Sequence, residues 1–334
     1  APAAHAQTAV RWRLASSFPK SLDTIFGSAE TFAKTVKALS GGKFEVSVHA
    51  AGELMPAFGV LDGVQNGTVE CAHTAPYYFF GKDETFALDC AIPFGLNSRQ
   101  MTAWMYEGNG MKLMREFYAK YSIVNFPGGN TGAQMGGWYR KEIKTVADMK
   151  GLKFRVGGGM VNEISKTLGM NVTLKPAPDS YELLSTGVMD GTLFPAESTD
   201  SFKIDKIIKH ATVFPGGLYN TSFVFMINPA RYDKLTADEK KAVDAVSGEV
   251  AARIFGKGWD RVDAIATDNM KKNGMQVTEL SAAEVGKFVE KMKPVIAKHA
   301  ATIGADTVSD LLAELAKIRE LNREKFKAIT LPMT

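Results

Sequence analysis

Alternating apolar and polar positions predict strands separated by helices along the first part of the chain. Residues 10–15 and 44–48 alternate with the period of two that half-buried strands show. The helix between them ends at Ser40-Gly41-Gly42, a typical helix stop. Strands that alternate with helices indicate an α/β unit with parallel strands. The predicted elements of this unit are strands at 10–15, 44–48 and 69–72 and helices at 23–39 and near 61–65.

The same order of elements returns after residue 150. Both units contain a helix end, a glycine at the C-cap, a strand and then an acidic residue, at 64–70 and again at 184–190. Two similar α/β lobes are therefore predicted. The elements of the second unit are strands at 152–156, 172–174 and 188–191 and helices at 160–168 and 180–186.

Two identical tetrapeptides, Phe126-Pro127-Gly128-Gly129 and Phe214-Pro215-Gly216-Gly217, frame the second unit. Proline and glycine beside a strand can bend it or act as a hinge, although two coincidental loops are an alternative. We therefore predict hinges near 126–130 and 214–218, with the chain leaving the first lobe and returning to it. The predicted bounds are 8–126 plus 219–254 for lobe I, and 127–218 plus 255–334 for lobe II and the C-terminal helices.

A long helix is predicted to connect the lobes. The capping box from Thr236 to Glu239 starts it, and Gly274 is a plausible end. At ~1.5 Å per residue it would be about 55 Å long, so we expect it to lie across both lobes, with a kink near Gly256 and Gly258. Further helices are predicted from the capping box at 281–284 and over 308–326.

Composition excludes several classes of protein. The 334 residues are 45% hydrophobic and 23% charged, and the net charge of +4 is dispersed, so nucleic-acid binding has little support. No apolar run is long enough to span a membrane. Ala4-His5-Ala6 fits the cleavage pattern of a secretory signal peptide, which predicts an exported, periplasmic protein. Cys71 and Cys90 could form one disulfide or remain two buried thiols.

Motifs of catalysis and metal binding are missing from the sequence. It contains no G-x-S-x-G elbow, no phosphate-binding P-loop and no H-E-x-x-H, and its five histidines are scattered. We therefore predict that the chain is not an enzyme and holds no cofactor. Because paired carboxylates leave no local motif, a periplasmic enzyme that acts on a carboxylic acid stays an alternative.

The most informative stretch is Arg155 within the strand 152–156, followed by Gly157–Gly159. The alternation places Lys153 and Arg155 on the face opposite the apolar side chains. The planar guanidinium can take a carboxylate bidentately, and glycines allow a ligand or another backbone to approach closely. The alternative is that both cations face water.

Other pocket candidates are polar or aromatic. Gln134 lies in the glycine-dense run 130–138 and can both donate and accept, which suits a carboxylate with a neighbouring hydroxyl or keto oxygen. Aromatic side chains could wall an inter-lobe pocket, or belong to the core. They are Phe18, Tyr77, Tyr78, Trp138 and Phe194.

Three stretches, at 17–21, 128–138 and 149–156, resemble the extracytoplasmic solute receptors of tripartite ATP-independent periplasmic (TRAP) transporters, and in particular the 2-oxo-acid receptors. The resemblance covers nearly the whole chain. It implies a two-lobed protein that closes on an organic acid and delivers it to a membrane permease. It also implies that Arg155 pairs with the ligand carboxylate and that Gln134 lines the same site. A ligand-sensing module for a signalling receptor is the alternative.

The sequence departs from the 2-oxo-acid receptors at one strand end. Where those receptors carry a glutamate and a tryptophan that hold a cation, this chain has Leu193 and Phe194. A leucine cannot ligate a metal, so we predict no metal, with Glu197 as the remaining carboxylate. The more apolar pocket predicts a monocarboxylate, such as a 2-oxo or 2-hydroxy acid with an alkyl or aromatic tail. A dicarboxylate would need a second cation, Lys20 or Lys153.

The predicted ligand-binding set combines these observations. A homodimer through the C-terminal helix is a further possibility for the assembly. The predicted ligand-binding residues are Phe18, Tyr77, Tyr78, Asn130, Gln134, Trp138, Arg155, Phe194, Glu197 and Asn220.

Overall fold

The computed structural model describes residues 9–93, 95–215, 217–250 and 256–303. Strands and helices alternate through the described residues, as predicted. The strands are β1 Val10–Ser16, β2 Phe44–His49, β3 Cys71–Thr74, β4 Val124–Ala133, β5 Gly136–Tyr139, β6 Lys153–Val156, β7 Asn171–Leu174, β8 Gly191–Thr192, β9 His210–Val213, β10 Asn220–Ile227 and β11 Gln276–Glu279. The helices are α1 Asp23–Leu39, α2 Val60–Gln65, α3 Ser98–Glu107, α4 Gly110–Ala119, α5 Met160–Thr167, α6 Ser180–Ser185, α7 Ser198–Ser201, α8 Pro229–Tyr232, α9 Ala237–Glu249, α10 Gly256–Lys272 and α11 Ala282–Ile303.

Two separate mixed sheets form the centres of two lobes. The first has the order β2-β1-β3-β10-β4, and the second has the order β11-β9-β5-β8-β6-β7. Within the first sheet β1, β2 and β3 are parallel, whereas β10 runs antiparallel to β3 and β4. In the second sheet β5 is antiparallel to both of its neighbours. The predicted two-lobed α/β fold is therefore confirmed, with antiparallel strands added where the chain passes between lobes.

The two passages between the lobes run side by side. The chain goes from β4 to β5 through Gln134 and Met135, and returns from β9 to β10 through residues 214–219. The Gln134 amide donates to the Tyr219 carbonyl at 2.7 Å, and the Leu218 amide donates to the Gln134 carbonyl at 3.0 Å. The Phe214 amide donates to the Met135 carbonyl at 2.7 Å. These bonds join the two passages into one ribbon, which we call the crossover ribbon.

The first of the two predicted hinges, at 126–130, lies inside β4. Pro127 pairs with Val224 of β10, and a register shift next to this pair accommodates the proline. The chain leaves the first sheet only after Ala133, so the structure places this crossing at Gln134 and Met135. The described residues of the second predicted hinge, at 214–218, lie in the crossover ribbon, and its action as a hinge stays a prediction. The residue bounds predicted for the two lobes stay a prediction.

Helix α1 has the predicted bounds. Its buried side chains recur at helical spacing and pack against β2 and α9. Ser40 ends the helix, and Gly41 and Gly42 follow it with positive φ angles of 59° and 81°. The buried residues of α1 are Ile25, Phe26, Ser28, Ala29, Phe32 and Val36.

The predicted long helix is described as α9 and α10. The Thr236 hydroxyl caps α9 together with Glu239, as predicted, and Gly274 follows α10 with a φ of 79°. Helix α9 packs on α1 and β4, whereas α10 packs on β4 and also on α7 and β11. Residues 251–255 lie outside the described residues, so one continuous helix with a kink stays a prediction. The predicted signal remnant at 1–7 and the helix at 308–326 also lie outside them.

Both cysteines are buried free thiols, which decides between the two alternatives left open by the sequence. The Cys90 thiol donates to the Ser222 carbonyl at 3.2 Å. Among the described helices, none combines the length and apolarity that a bilayer crossing needs.

Candidate ligand-binding cleft

Arg155 lies in the middle of β6 and is only 2% exposed. Its neighbour Lys153 is exposed, so the alternative that both cations face water is wrong for Arg155. The Arg155 Nε donates to the Lys175 carbonyl at 2.9 Å, whereas its Nη2 has no hydrogen-bond partner. No acidic side chain pairs with Arg155 among the residues that the structure describes. A buried guanidinium with a free N–H is a donor for an incoming carboxylate.

Aromatic rings support the guanidinium from one side. The Arg155 Cζ lies 4.8 Å from the ring centroid of Phe194. Phe194 in turn stacks on Trp138, with centroids 5.7 Å apart and an angle of 11° between the planes. Trp138 is fully buried, and its Nε1 donates to the Thr199 hydroxyl at 2.9 Å. Trp138 therefore lies behind Phe194, and Phe194 is the ring that contacts Arg155.

The three glycines after β6 receive Tyr77 of the first lobe. A Cβ on Gly157 would lie 2.6 Å from Tyr77 Cε2, and one on Gly158 would lie 2.5 Å from the Tyr77 carbonyl oxygen. Gly158 and Gly159 also have φ angles of 143° and 69°, which disfavour other residues. The close approach that the sequence predicted is made here by the ring and the backbone of Tyr77. We call Gly157–Gly159 the glycine cradle.

Tyrosines of the first lobe and of the crossover ribbon surround Arg155. Burial raises the pKa of Tyr78, and the nearby Arg155 charge partly offsets this rise. The pKa of Tyr219 is also raised by burial and lowered in part by Arg155. Tyr77 packs edge-on against Tyr78 at 5.0 Å, and Phe18 lies 6.1 Å from Tyr78. These hydroxyls therefore stay protonated and can donate to a ligand oxygen.

Gln134 and the two asparagines lie at the ends of β4 and β10. The Gln134 Nε2 donates to the Thr221 hydroxyl at 2.7 Å, and its Oε1 has no hydrogen-bond partner. The Asn130 Nδ2 donates to the Asn220 Oδ1 and, at 2.9 Å, to the Ser222 hydroxyl. Asn220 donates onward to the Leu96 carbonyl. The asparagine pair thus bonds within the first lobe, and Gln134 keeps a free acceptor.

Glu197 contacts α1 of the first lobe. Its carboxylate accepts from the Ser201 hydroxyl at 2.5 Å and from the Thr24 hydroxyl at 3.3 Å. Burial raises the pKa of Glu197, and the hydroxyl contacts only partly oppose this rise. Its side chain is thus engaged by hydroxyl groups from α7 and from the first lobe.

A cation of the kind held by the 2-oxo-acid receptors does not fit the residues present. Leu193 packs with the core of the second lobe, and Phe194 carries no donor atom for a metal. No group of three or more histidine, cysteine, aspartate or glutamate side chains with metal-site geometry occurs among the described residues. The donor set around Arg155 is therefore one of tyrosine hydroxyls and amide groups.

Two groups near Arg155, the Tyr219 side chain and the Lys175 carbonyl, were not predicted from the sequence. Tyr219 directly precedes Asn220 and follows the second Phe-Pro-Gly-Gly tetrapeptide, and this position at a predicted hinge could have indicated it. The Lys175 carbonyl, which holds Arg155, carries no side-chain signal in the sequence. Only the parallel pairing of β6 with β7 brings it to Arg155.

The predicted glycine-dense strand also has a structural explanation. A Cβ on Gly136 would lie 2.7 Å from the Thr212 carbonyl oxygen, and one on Gly137 would lie 2.5 Å from the Thr192 carbonyl oxygen. Both glycines therefore admit the neighbouring strands of the second sheet.

Two mixed sheets joined by a crossover ribbon, with a buried cation between the lobes, define the class of two-lobed solute-binding proteins. The family model for bacterial extracellular solute-binding proteins of family 7 (DctP) matches residues 15–302. The chain belongs to this family. The family is one of binding proteins, in agreement with the prediction that the chain is not an enzyme.

Solved structures show the same fold over nearly the whole chain. A TRAP transporter solute-binding protein from Bordetella bronchiseptica, with copurified calcium and picolinate, is 32% identical with a TM-score of 0.87. The similarity covers 96% of this chain and 94% of that one. A second protein from Bordetella bronchiseptica, with bound (R)- and (S)-mandelate, is 30% identical with a TM-score of 0.78. The similarity covers 93% of this chain and 99% of that one.

A curated relative from Nostoc sp. is a monocarboxylate 2-oxoacid-binding periplasmic protein. It is 49% identical over 181 residues, which are 54% of this chain. The match spans 49% of the Nostoc protein, about half its length.

Proposed function

We propose that the chain is the solute receptor of a TRAP transporter and binds a small monocarboxylate between its lobes. The observation that carries this proposal is Arg155, a buried guanidinium with an unpartnered Nη2 and no acidic partner among the described residues. Burying an unpaired charge is costly, and a ligand carboxylate offsets that cost. The receptor is exported to the periplasm by a cleaved signal peptide, and there it delivers the acid to a membrane permease.

The ligand is proposed to be a 2-oxo or 2-hydroxy acid with an apolar tail. We propose that its carboxylate binds Arg155 and that the Tyr78 and Tyr219 hydroxyls and Gln134 bind the adjacent oxygen. Leu193 and Phe194 offer no donor atom for a cation beside the ligand, so the tail meets apolar surface. The names of two relatives agree with this class, a 2-oxoacid-binding protein and a mandelate-bound protein.

Thermal unfolding of the ligand-stripped protein against a panel of acids tests the proposal. The panel contains pyruvate, 4-methyl-2-oxopentanoate, mandelate, picolinate, succinate and malate. An acid at 100 times its Kd adds about 2.7 kcal/mol of stability. We expect one monocarboxylate to stabilise the wild type and not Arg155→Met.

Arg115→Met is the matched control, because Arg115 also lies over a ring, 4.2 Å from the Phe126 centroid, but in the first lobe. This variant should respond to the acid as the wild type does. Equal responses of Arg155→Met and wild type would overturn the assignment of Arg155. Much tighter binding of succinate or malate would overturn the monocarboxylate class.

A further inference from the structure

A cavity lies inside the first lobe, between α3 and the strands β4 and β10. Its volume is about 30 Å³, and a volume of roughly 10–15 Å³ is enough for one water molecule. Polar side chains from β4 and from the segment before α3 line it, among them Asn125 and Asp89. The cavity therefore has room for a group of about two or three non-hydrogen atoms.

This cavity is separate from the cleft around Arg155. Every described residue that lines it belongs to the first lobe, and neither Arg155 nor Gln134 is among them. Asn125 pairs with Met226 at the end of β4 that is opposite the crossing to the second lobe. A ligand in this cavity would thus bind to one lobe only.

Two buried side chains in the cavity offer hydrogen-bonding atoms that no described residue uses. Asn125 is fully buried, and neither its Oδ1 nor its Nδ2 has a partner. Asp89 is 5% exposed. Its Oδ2 accepts from the Tyr118 hydroxyl of α4 at 3.1 Å, whereas its Oδ1 has no partner. Polar groups left unpaired in a protein interior are costly, so these atoms indicate a binding site.

The charge of Asp89 decides the class of ligand. Within the described part of the chain, no lysine, arginine or histidine pairs with it. Burial raises the pKa of Asp89 to about 7, and the Tyr118 hydrogen bond only partly opposes this rise. Burial also raises the pKa of the neighbouring Cys90 thiol and of Tyr118, and it raises that of Tyr106, which lines the cavity, to about 12. Asp89 is therefore the group that carries a charge here above neutral pH, and a cation would stabilise it.

An ammonium group suits these acceptors better than a metal ion does. Ions such as Ca²⁺ and Mg²⁺ take about six or more oxygen ligands. Among the described lining residues, the unpartnered side-chain oxygens are Asp89 Oδ1 and Asn125 Oδ1. A primary ammonium group donates through N–H bonds and needs only a few acceptors. Other walls are formed by Met101, Met105 and Val224, which suit a short alkyl group.

We propose that Asp89 and Asn125 form a second ligand site, which binds a small primary ammonium ion such as methylammonium. The ammonium group donates to Asp89 Oδ1 and Asn125 Oδ1, and the methyl group contacts the methionines. Tyr106 of α3 is 41% exposed and Thr102, one turn before it, is half-buried, so the site opens to the surface along α3. The site is independent of the carboxylate site in the cleft.

An NMR titration of the ¹⁵N-labelled protein with methylammonium chloride tests the proposal, at pH 8 in a buffer without primary amines. The side-chain amide signal of Asn125 is followed and is assigned by its loss in Asn125→Leu. We expect it to shift with a Kd in the millimolar range, as is usual for so small a ligand. Kd should rise at least tenfold in Asp89→Asn. Asp62→Asn removes an exposed carboxylate of the same lobe and should keep the wild-type Kd.

Further arms test the entry, the ligand class and the charge. Thr102→Phe leaves Asp89 intact but narrows the opening, and it should raise Kd at least fivefold. Tetramethylammonium has the charge but no N–H, so it should not shift the Asn125 signal, and neither should sodium chloride at equal ionic strength. At pH 6, where Asp89 is mostly protonated, Kd should be about tenfold higher than at pH 8.

An Asn125 signal that does not move with methylammonium, or an equal Kd in Asp89→Asn, would overturn the site. An equal shift with sodium chloride would overturn the ammonium class. No carboxylic acid is present in these titrations, so their result does not depend on whether the proposed receptor function is correct.

Discussion

The glycine cradle allows a direct test of lobe closure through a single methyl group. In Gly157→Ala the new Cβ would lie 2.6 Å from Tyr77 Cε2 and 2.8 Å from the Tyr77 hydroxyl oxygen. Non-bonded carbon atoms prefer separations of about 3.5–4.0 Å, so the lobes would have to separate by about 1 Å at this point. Gly157 has no positive φ, unlike Gly158 and Gly159, so alanine strains only the contact with the other lobe.

The cost should therefore fall on the closed state alone. Overpacking of a tight contact costs about 1–3 kcal/mol, which corresponds to a rise in Kd of roughly 5- to 150-fold. Calorimetric titration with the acid that binds best gives Kd, and denaturant unfolding without ligand shows that each lobe keeps its stability. The double variant Gly157→Ala/Tyr77→Ala removes the ring that the methyl group meets. We expect the double variant to lose less binding free energy than the sum of the losses of the two single variants.

Gly81→Ala is the matched control, since nothing lies within 4 Å of a Cβ at that position. It should bind as the wild type does. Unchanged affinity in Gly157→Ala, or strictly additive effects in the double variant, would refute the reasoning that Tyr77 closes onto the glycine cradle.

Three further predictions concern two buried titratable groups and one helix cap. Burial lowers the pKa of His73 to about 3, so stability should fall by about 1.4 kcal/mol per pH unit below pH ~6.5. Urea unfolding of His73→Gln should show a clearly weaker pH dependence of the free energy of unfolding, and a pH dependence equal to that of the wild type would contradict the lowered pKa of His73. Burial raises the pKa of Asp89 to about 7, so its stabilisation is lost as the pH rises from ~4 to 7. The free energy of unfolding in urea of Asp89→Asn, relative to the wild type, should thus be higher at pH 8 than at pH 4. An equal difference at both pH values would contradict the raised pKa of Asp89. Thr236→Ala should lower the free energy of unfolding by about 1 kcal/mol because the N-cap hydrogen bond is lost. Thr236→Ser should retain most of that stability in the same assay.

Local signals allowed much of the fold to be predicted. The bounds of α1 follow from apolar spacing and from the glycines that come after it, all within one stretch of chain. The capping box at Thr236 is equally local. The position of the first crossing is not local, because it depends on how far β4 pairs with β10. Proline and glycine indicated a bend at 126–130, but the register shift opposite β10 absorbs it within the sheet.

The candidate site shows the same division. The period of two placed Arg155 on the face opposite the apolar side chains, yet it could not decide between water and a cleft. That depends on Tyr78 and Tyr219, which belong to the first lobe and to the crossover ribbon. Likewise, the glycines after Arg155 indicated close approach, and only the tertiary structure shows that Tyr77 is the approaching residue. Trp138 is conspicuous in sequence, but the Phe194 ring in front of it separates it from Arg155.

The crossover ribbon has a consequence for how this protein senses its cargo. Gln134 belongs to the ribbon, and both its backbone amide and its carbonyl bond to the returning strand. Any bending of the ribbon must therefore rotate the Gln134 side chain relative to Arg155. The angle between the lobes and the shape of the pocket would then change together, because Gln134 belongs to the segment that bends. An acid of the wrong length would leave the ribbon incompletely bent, so the angle between the lobes would differ from the angle reached with an acid that fits.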